Sequence, residues 1–73
     1  MFRCNLPEEN VGYTSESIKA IGQQLDNYLV EMYGKYTIID ENSNELRSCK
    51  NIKNKGNYII TVSNSYTITC IID

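Results

Sequence analysis

Apolar and polar residues alternate through the first six positions, "MFRCNL", with Phe2, Cys4 and Leu6 on one side and Arg3 and Asn5 on the other. That period-two spacing predicts a strand with one buried face, and Pro7, which has no N–H to give to a ladder, ends it. "PEENVGY" then brings proline, asparagine and glycine together with two acids and predicts a loop. From there the spacing changes to three and four. Ile18, Ile21, Leu25, Leu29 and Met32 make one stripe, and Lys19, Gln23, Gln24, Asp26, Asn27 and Glu31 lie away from it. A hydroxyl of Thr14 or Ser15 to accept from the free N–H groups, Glu16 in the first turn and Gly34 as a stop predict a helix over about residues 15–33.

After Gly34 the period returns to two. "KYTIID", "ELRSC", "NYIITV" and "YTITCII" are rich in β-branched residues and tyrosine and are separated by "ENSN", "KNIKNKG" and "SNS", which predicts four antiparallel strands. The last hairpin also carries its register. A two-residue loop would set Ile60 against Thr69, whereas a three-residue loop at Ser63–Ser65 pairs Val62 with Tyr66, Ile60 with Ile68 and Tyr58 with Cys70. One face then holds Tyr58, Ile60, Val62, Tyr66, Ile68, Cys70 and Ile72, where the helix covers them. The other holds Ile59, Thr61, Thr67, Thr69 and Ile71, which the same helix does not reach. The expected fold is α+β, one helix on a mostly antiparallel four- or five-stranded sheet in the order β-α-β-β-β-β.

Composition narrows the class. The chain has 73 residues, 41% hydrophobic and 22% charged, with one proline, as a folded single small domain spanning 1–73 does. A domain of this size buries only roughly 60–65% of the surface its unfolded chain exposes, so added burial against a partner matters to it. A net charge of −2 excludes a strongly basic nucleic-acid binder, and no apolar run approaches a membrane span. The cysteines, Cys4, Cys49 and Cys70, are odd in number and widely spaced, and no charged-then-apolar leader follows Met1, so a reducing cytoplasm is expected. Abundant Asn, Ile, Lys and Tyr, as in "KNIKNKGNYII", match A+T-rich codons and suggest a low-GC bacterium, its phages or a virus.

Candidate chemistry is sparse. In "IIDENSNEL" Asp40, Asn42 and Asn44 alternate like the first ligands of a calcium loop, but the sixth and twelfth positions counted from Asp40 hold Glu45 and Asn51, not glycine and a bidentate Glu. A hairpin turn accounts for the segment, and no metal is expected. With no histidine and no nucleophile motif, no enzyme and no cofactor are expected either. The cysteines have neither C-x-x-C spacing nor a histidine to complete a zinc set, and Cys4 and Cys70 fall at apolar strand positions, as buried small hydrophobes do. "RSCKNIKNK" gathers Arg47, Lys50, Lys53 and Lys55 with no acid among them, a contact for phosphates or an acidic partner unless it is only a solvated loop.

"KYTIIDENSNELRSCKNIKNKGNYIITV" resembles the closing part of ubiquitin-like and doublecortin-like domains, in which a strand, a short turn, a glycine- and tyrosine-containing segment and a final strand follow the helix. The resemblance covers under half of the chain. The additional "SYTITCIID" and the missing first hairpin depart from the pattern, and no function is carried over.

Two features point to another protein as partner, a homodimer included. Ile59, Ile71 and Ile39 among threonines are an apolar patch on the outer face, and the strand Tyr66–Ile72 has no proline or lysine to blunt it as an edge. Either a partner or the N-terminal segment covers them. The expected function is therefore binding without catalysis, with a phage or mobile-element inhibitor of a host nucleic-acid-handling defence enzyme as the narrower expectation. The alternatives are a phosphate- or nucleic-acid-binding module using residues 47–55 and a self-assembling structural subunit.

Overall fold

In the computed structural model, which describes residues 1–73, Phe2–Leu6 forms the first strand, β1, with Cys4 and Leu6 buried and Arg3 and Asn5 exposed. A 3-10 turn at Pro7–Glu9 follows, closed by Asn10 in the left-handed conformation with its N–H on the Pro7 carbonyl. The chain then doubles back as β2, Val11–Ser15, paired antiparallel with β1. This strand lies where the sequence predicts loop and helix start, and it supplies the first hairpin that the sequence reading called missing.

Helix α1 runs Ile18–Tyr33. Its cap is Ser17, whose hydroxyl accepts from the Ala20 N–H; Thr14 and Ser15, expected in that role, belong to β2. Gly34 ends it at a φ of 81°, a value that strains any residue with a side chain, and its N–H reaches the Val30 carbonyl. Of the predicted stripe, Ile21, Leu25 and Leu29 are fully buried and Ile18 packs against the core, whereas Met32 is 56% exposed.

The remaining strands are β3 (Tyr36–Ile39), β4 (Gly56–Val62) and β5 (Thr67–Ile72), and the sheet order is β2-β1-β5-β4-β3. The α+β class, the single helix and an antiparallel sheet of five strands are as expected from the sequence, but β2 takes the place of one expected strand and the order along the chain is β-β-α-β-β-β. "ELRSC" is not a strand. It touches β3 through one bridge, Ile39 to Glu45, then Arg47 takes a φ of 70° and the chain enters a 3-10 turn at Cys49–Asn51. The β4–β5 hairpin has the expected register, Tyr58 to Cys70 and Ile60 to Ile68 across a three-residue loop at Ser63–Ser65, with the Val62 N–H on the Tyr66 carbonyl.

The core is the layer between α1 and the inner sheet face: Leu6, Ile38, Ile60, Ile68, Cys70 and Ile72 from the sheet meet Ile21, Leu25 and Leu29 from the helix, with Cys49 and Ile52 closing one side. Tyr66, expected in this layer, is 39% exposed. At Gly22 the helix lies so close to the Cys49–Asn51 turn that an added Cβ would stand 2.4 Å from the Cys49 carbonyl oxygen.

Candidate functional site

The sheet has two faces, and the chain covers only one. Alternation sends Ile38, Ile60 and Ile68 under the helix, so their neighbours point the other way. Across β3, β4 and β5 these outer residues stand in rows: Thr37, Thr61 and Thr67 in one, Ile39, Ile59 and Thr69 in the next, then Asn57 and Ile71, which continues to Asn5 on β1. The chain carries 7 Lys and Arg and 9 Asp and Glu, yet none falls on this face of β3, β4 or β5. Lys19 and Glu31, by contrast, stand on the exposed side of the helix. Ile59 is 40% exposed, Ile39 and Ile71 are half-buried, and Ile39 stands directly across from Ile59 with Ile71 diagonal to it, among hydroxyls. All five outer-face residues expected from the sequence, Ile59, Thr61, Thr67, Thr69 and Ile71, are brought together here.

The edge expectation for Tyr66–Ile72 is overturned. β5 lies inside the sheet between β1 and β4. β1 pairs with it at Cys4–Ile72 and Asn5–Ile71, and Arg3 and Asp73 exchange backbone hydrogen bonds of 2.9 Å. Where β1 diverges, the Glu8 carboxylate takes the next place, accepting from the Thr69 N–H at 2.8 Å and its hydroxyl at 2.7 Å. These bonds hold the Glu8 carboxyl below the usual carboxylate range. The N-terminal segment thus takes the edge of β5 and borders the outer face at Thr69, leaving Ile59, Thr61 and Thr67 without a covering element.

The true edges are β2 and β3. β3 is partly stopped, because Leu46 donates its N–H to the Ile38 carbonyl and Asp40 donates its own to Asn44. The same bonds make "IIDENSNEL" a hairpin turn. Asp40 Oδ1 accepts from the Asn42 and Asn44 N–H groups at 2.9 Å each, and Glu41 Oε1 accepts from the Asn57 N–H at 2.7 Å, so both acids are engaged with backbone. On β2, alternation turns the N–H and C=O of Gly12 and Thr14 away from β1, since Arg3 faces β5 and Phe2, Cys4 and Leu6 face β2.

The basic segment is divided in its contacts. Lys50 reaches Asp26 on the helix at 3.8 Å and Lys55 stands 5.6 Å from the centre of the Phe2 ring. Arg47 and Lys53 are exposed and pair with no acid. Half of the proposed phosphate contact is therefore engaged within the chain.

Sequence reasoning missed a cluster around Glu9. Tyr28 and Tyr33 of α1 donate to Glu9 Oε1 at 2.7 Å each, and Tyr66 donates to Oε2 at 2.8 Å. Donation by Tyr33 and Tyr28 lowers the Glu9 pKa, and the same carboxylate pushes both phenols up to about 12. The partners lie 19 to 57 positions apart, so no local spacing marks them. Their effect is to fasten the Pro7–Glu9 turn to the helix and to the start of β5. Tyr36 similarly joins α1 to the Cys49 turn, donating to Asp26 and accepting from the Cys49 N–H.

Cys4, Cys49 and Cys70 are buried free thiols; burial pushes Cys49 up to about 12, and Cys70 is raised first by the Cys4 thiol 3.7 Å away and then by burial. Cys49 and Cys70, held protonated in this way, are poor nucleophiles, whereas the contact with Cys70 lowers Cys4. The hollows are open: about 170 Å³ beside Asp40, Glu41 and Lys55, and about 630 Å³ in a trough between Lys35, Tyr36, Thr37 and Thr61. Neither places a nucleophile beside a base. No helix is long and apolar enough to cross a membrane. No family model, curated protein or solved structure matches the chain.

Proposed function

We propose that this is a non-catalytic protein-binding protein whose contact surface is the outer face of β3, β4 and β5. The observation that carries the reading is that β3, β4 and β5 place no charged residue of their own on this face: three isoleucines stand among threonines and an asparagine, bordered by the Glu8 carboxylate only at Thr69, in a molecule with 7 cationic and 9 anionic side chains. Interface cores are depleted of charged residues in this way, whereas a face that only meets water has no reason to be. Threonine hydroxyls satisfy polar groups of a partner, and the isoleucines contribute by burial at roughly 25 cal/mol per Å². The proposal includes the narrower role expected from the residue usage, an inhibitor that occludes a host nucleic-acid-handling defence enzyme by binding it.

The test compares wild-type protein with Ile59→Lys and Ile71→Lys. Both variants are expected to keep the circular dichroism spectrum and melting transition and to lose capture of the protein that wild type retains in stoichiometric amount from host lysate. Undiminished capture by the folded variants would place the contact elsewhere.

A further inference from the structure

From the edge geometry we infer that two copies of this chain join through β2, edge to edge and antiparallel, into one ten-stranded sheet. The inference is independent of the outer-face reading. It starts from the asymmetry of the two edges. Residues 44–46 partly close β3, whereas Gly12 and Thr14 on β2 present N–H and C=O groups for which the chain supplies no partner. "VGYTS" holds no proline, lysine or acid, so none of the usual devices against strand addition is present.

The strand is complementary to itself in one register. Antiparallel partners exchange bonds only between residues that face each other, and here those are Gly12 and Thr14. Setting Gly12 against Thr14 of the second copy, and Thr14 against its Gly12, forms four N–H···O bonds at once. Centring the pair on Gly12 or on Thr14 forms two. In the four-bond register Tyr13 meets Tyr13 across the two-fold axis on the helix side, an aromatic pair at the closely spaced position. Tyr13 is half-buried there against Tyr28, at a ring separation of 6.4 Å. No like charges are opposed, since the first charged residue beyond the strand, Glu16, comes opposite Asn10.

A second copy is favoured over a foreign strand because the pairing closes. β2 is the one edge open along its length, since residues 44–46 close the Ile38 end of β3, so a two-fold pair consumes the open edge of both copies and growth stops, as an isologous contact requires. The axis is perpendicular to the sheet, so both helices lie on one side and both outer faces on the other.

Sedimentation equilibrium on the full chain, with backbone amide exchange, tests this. Wild type is expected to approach twice the chain mass as concentration rises from micromolar to millimolar, with exchange at Gly12 and Thr14 slowing about tenfold or more over that range. Thr14→Pro removes an edge N–H that β1 does not use and is tolerated at an edge position. It eliminates two of the four bonds and is expected to sediment as a single copy, while Ile71→Lys still pairs. A wild-type protein that stays single at millimolar concentration overturns the inference. So does a dimer in which Gly12 and Thr14 exchange freely, or one that persists in folded Thr14→Pro. Should Thr14→Pro fail to fold, the wild-type exchange at these two amides decides the matter.

Discussion

Replacing Gly22 with alanine sets two effects of known size against each other. Alanine in a helix interior is favoured over glycine by about 1 kcal/mol, so on propensity alone the variant gains stability. Packing acts the other way, because the new methyl group would stand 2.4 Å from the Cys49 carbonyl oxygen, a backbone atom. That oxygen is not free to give way. Cys49 is fully buried, its carbonyl accepts from the Ile52 N–H and its own N–H donates to the Tyr36 hydroxyl oxygen at 2.8 Å. The helix and the turn must therefore separate by about 1 Å, and overpacking of this kind costs about 1–3 kcal/mol. Because the clash is with fixed, buried backbone, the cost lies in the upper part of that range, and the balance is a loss of about 1–2 kcal/mol, which in a chain of this length lowers the melting temperature by about 4–16 °C. Thermal melts by circular dichroism read this directly, with amide shifts at Cys49–Asn51 as the local signature. A melting temperature equal to or above wild type would refute the reasoning, since it would mean that α1 and the Cys49 turn are not in contact.

Other outcomes follow from the same geometry. Ile68→Lys places a charge in the core and is expected to unfold the domain, whereas Ile71→Lys, three positions along β5 and on the opposite face, is expected to fold; sedimentation and circular dichroism compare them, and the reverse pattern would mean the hairpin register is off by one. Glu9 favours its ionised form in the fold, so the stability it contributes is present above its ordinary value of 4.5 and lost as pH falls through the lowered one. Tyr28 and Tyr33 favour their protonated forms, so their contribution is present below 10.0 and lost as pH rises toward about 12. Melts of Glu9→Gln are expected to show a smaller acid-side loss than wild type, with Glu8 supplying what remains; an identical acid limb would contradict the cluster's role. Calcium titrated into metal-free protein is expected to leave the amide resonances of residues 40–51 in place, and saturable micromolar shifts there would show that Asp40 and Glu41 exchange their backbone partners for the ion.

What was legible in the sequence is what short-range spacing encodes. The helix core positions Ile21, Leu25 and Leu29 repeat at the helical period, and parity across the Ser63–Ser65 loop determined which isoleucines of β4 and β5 face inward. β2 was hidden because Gly12 weakens its alternation and its hydroxyls, Thr14 and Ser15, imitate a helix cap that Ser17 in fact provides. "ELRSC" reads as a strand in residue type, but Arg47 in the left-handed region breaks the extended run. The strand order had no local signal at all: β1 meets β5 across nearly the whole chain, which turned a supposed edge into the middle of the sheet. The outer face was found because parity alone defines it, while the Glu9 cluster depends on contacts that only the closed fold creates.

Isoleucine-methyl spectroscopy on the chain bound to its captured protein tests the central claim most directly. The account predicts that the methyl signals of Ile39, Ile59 and Ile71 shift or broaden on binding while those of Ile21, Ile38, Ile60 and Ile68, sealed between helix and sheet, stay in place. Unmoved outer methyls, with changes confined to Arg47–Lys55 or to the exposed side of α1, would contradict it.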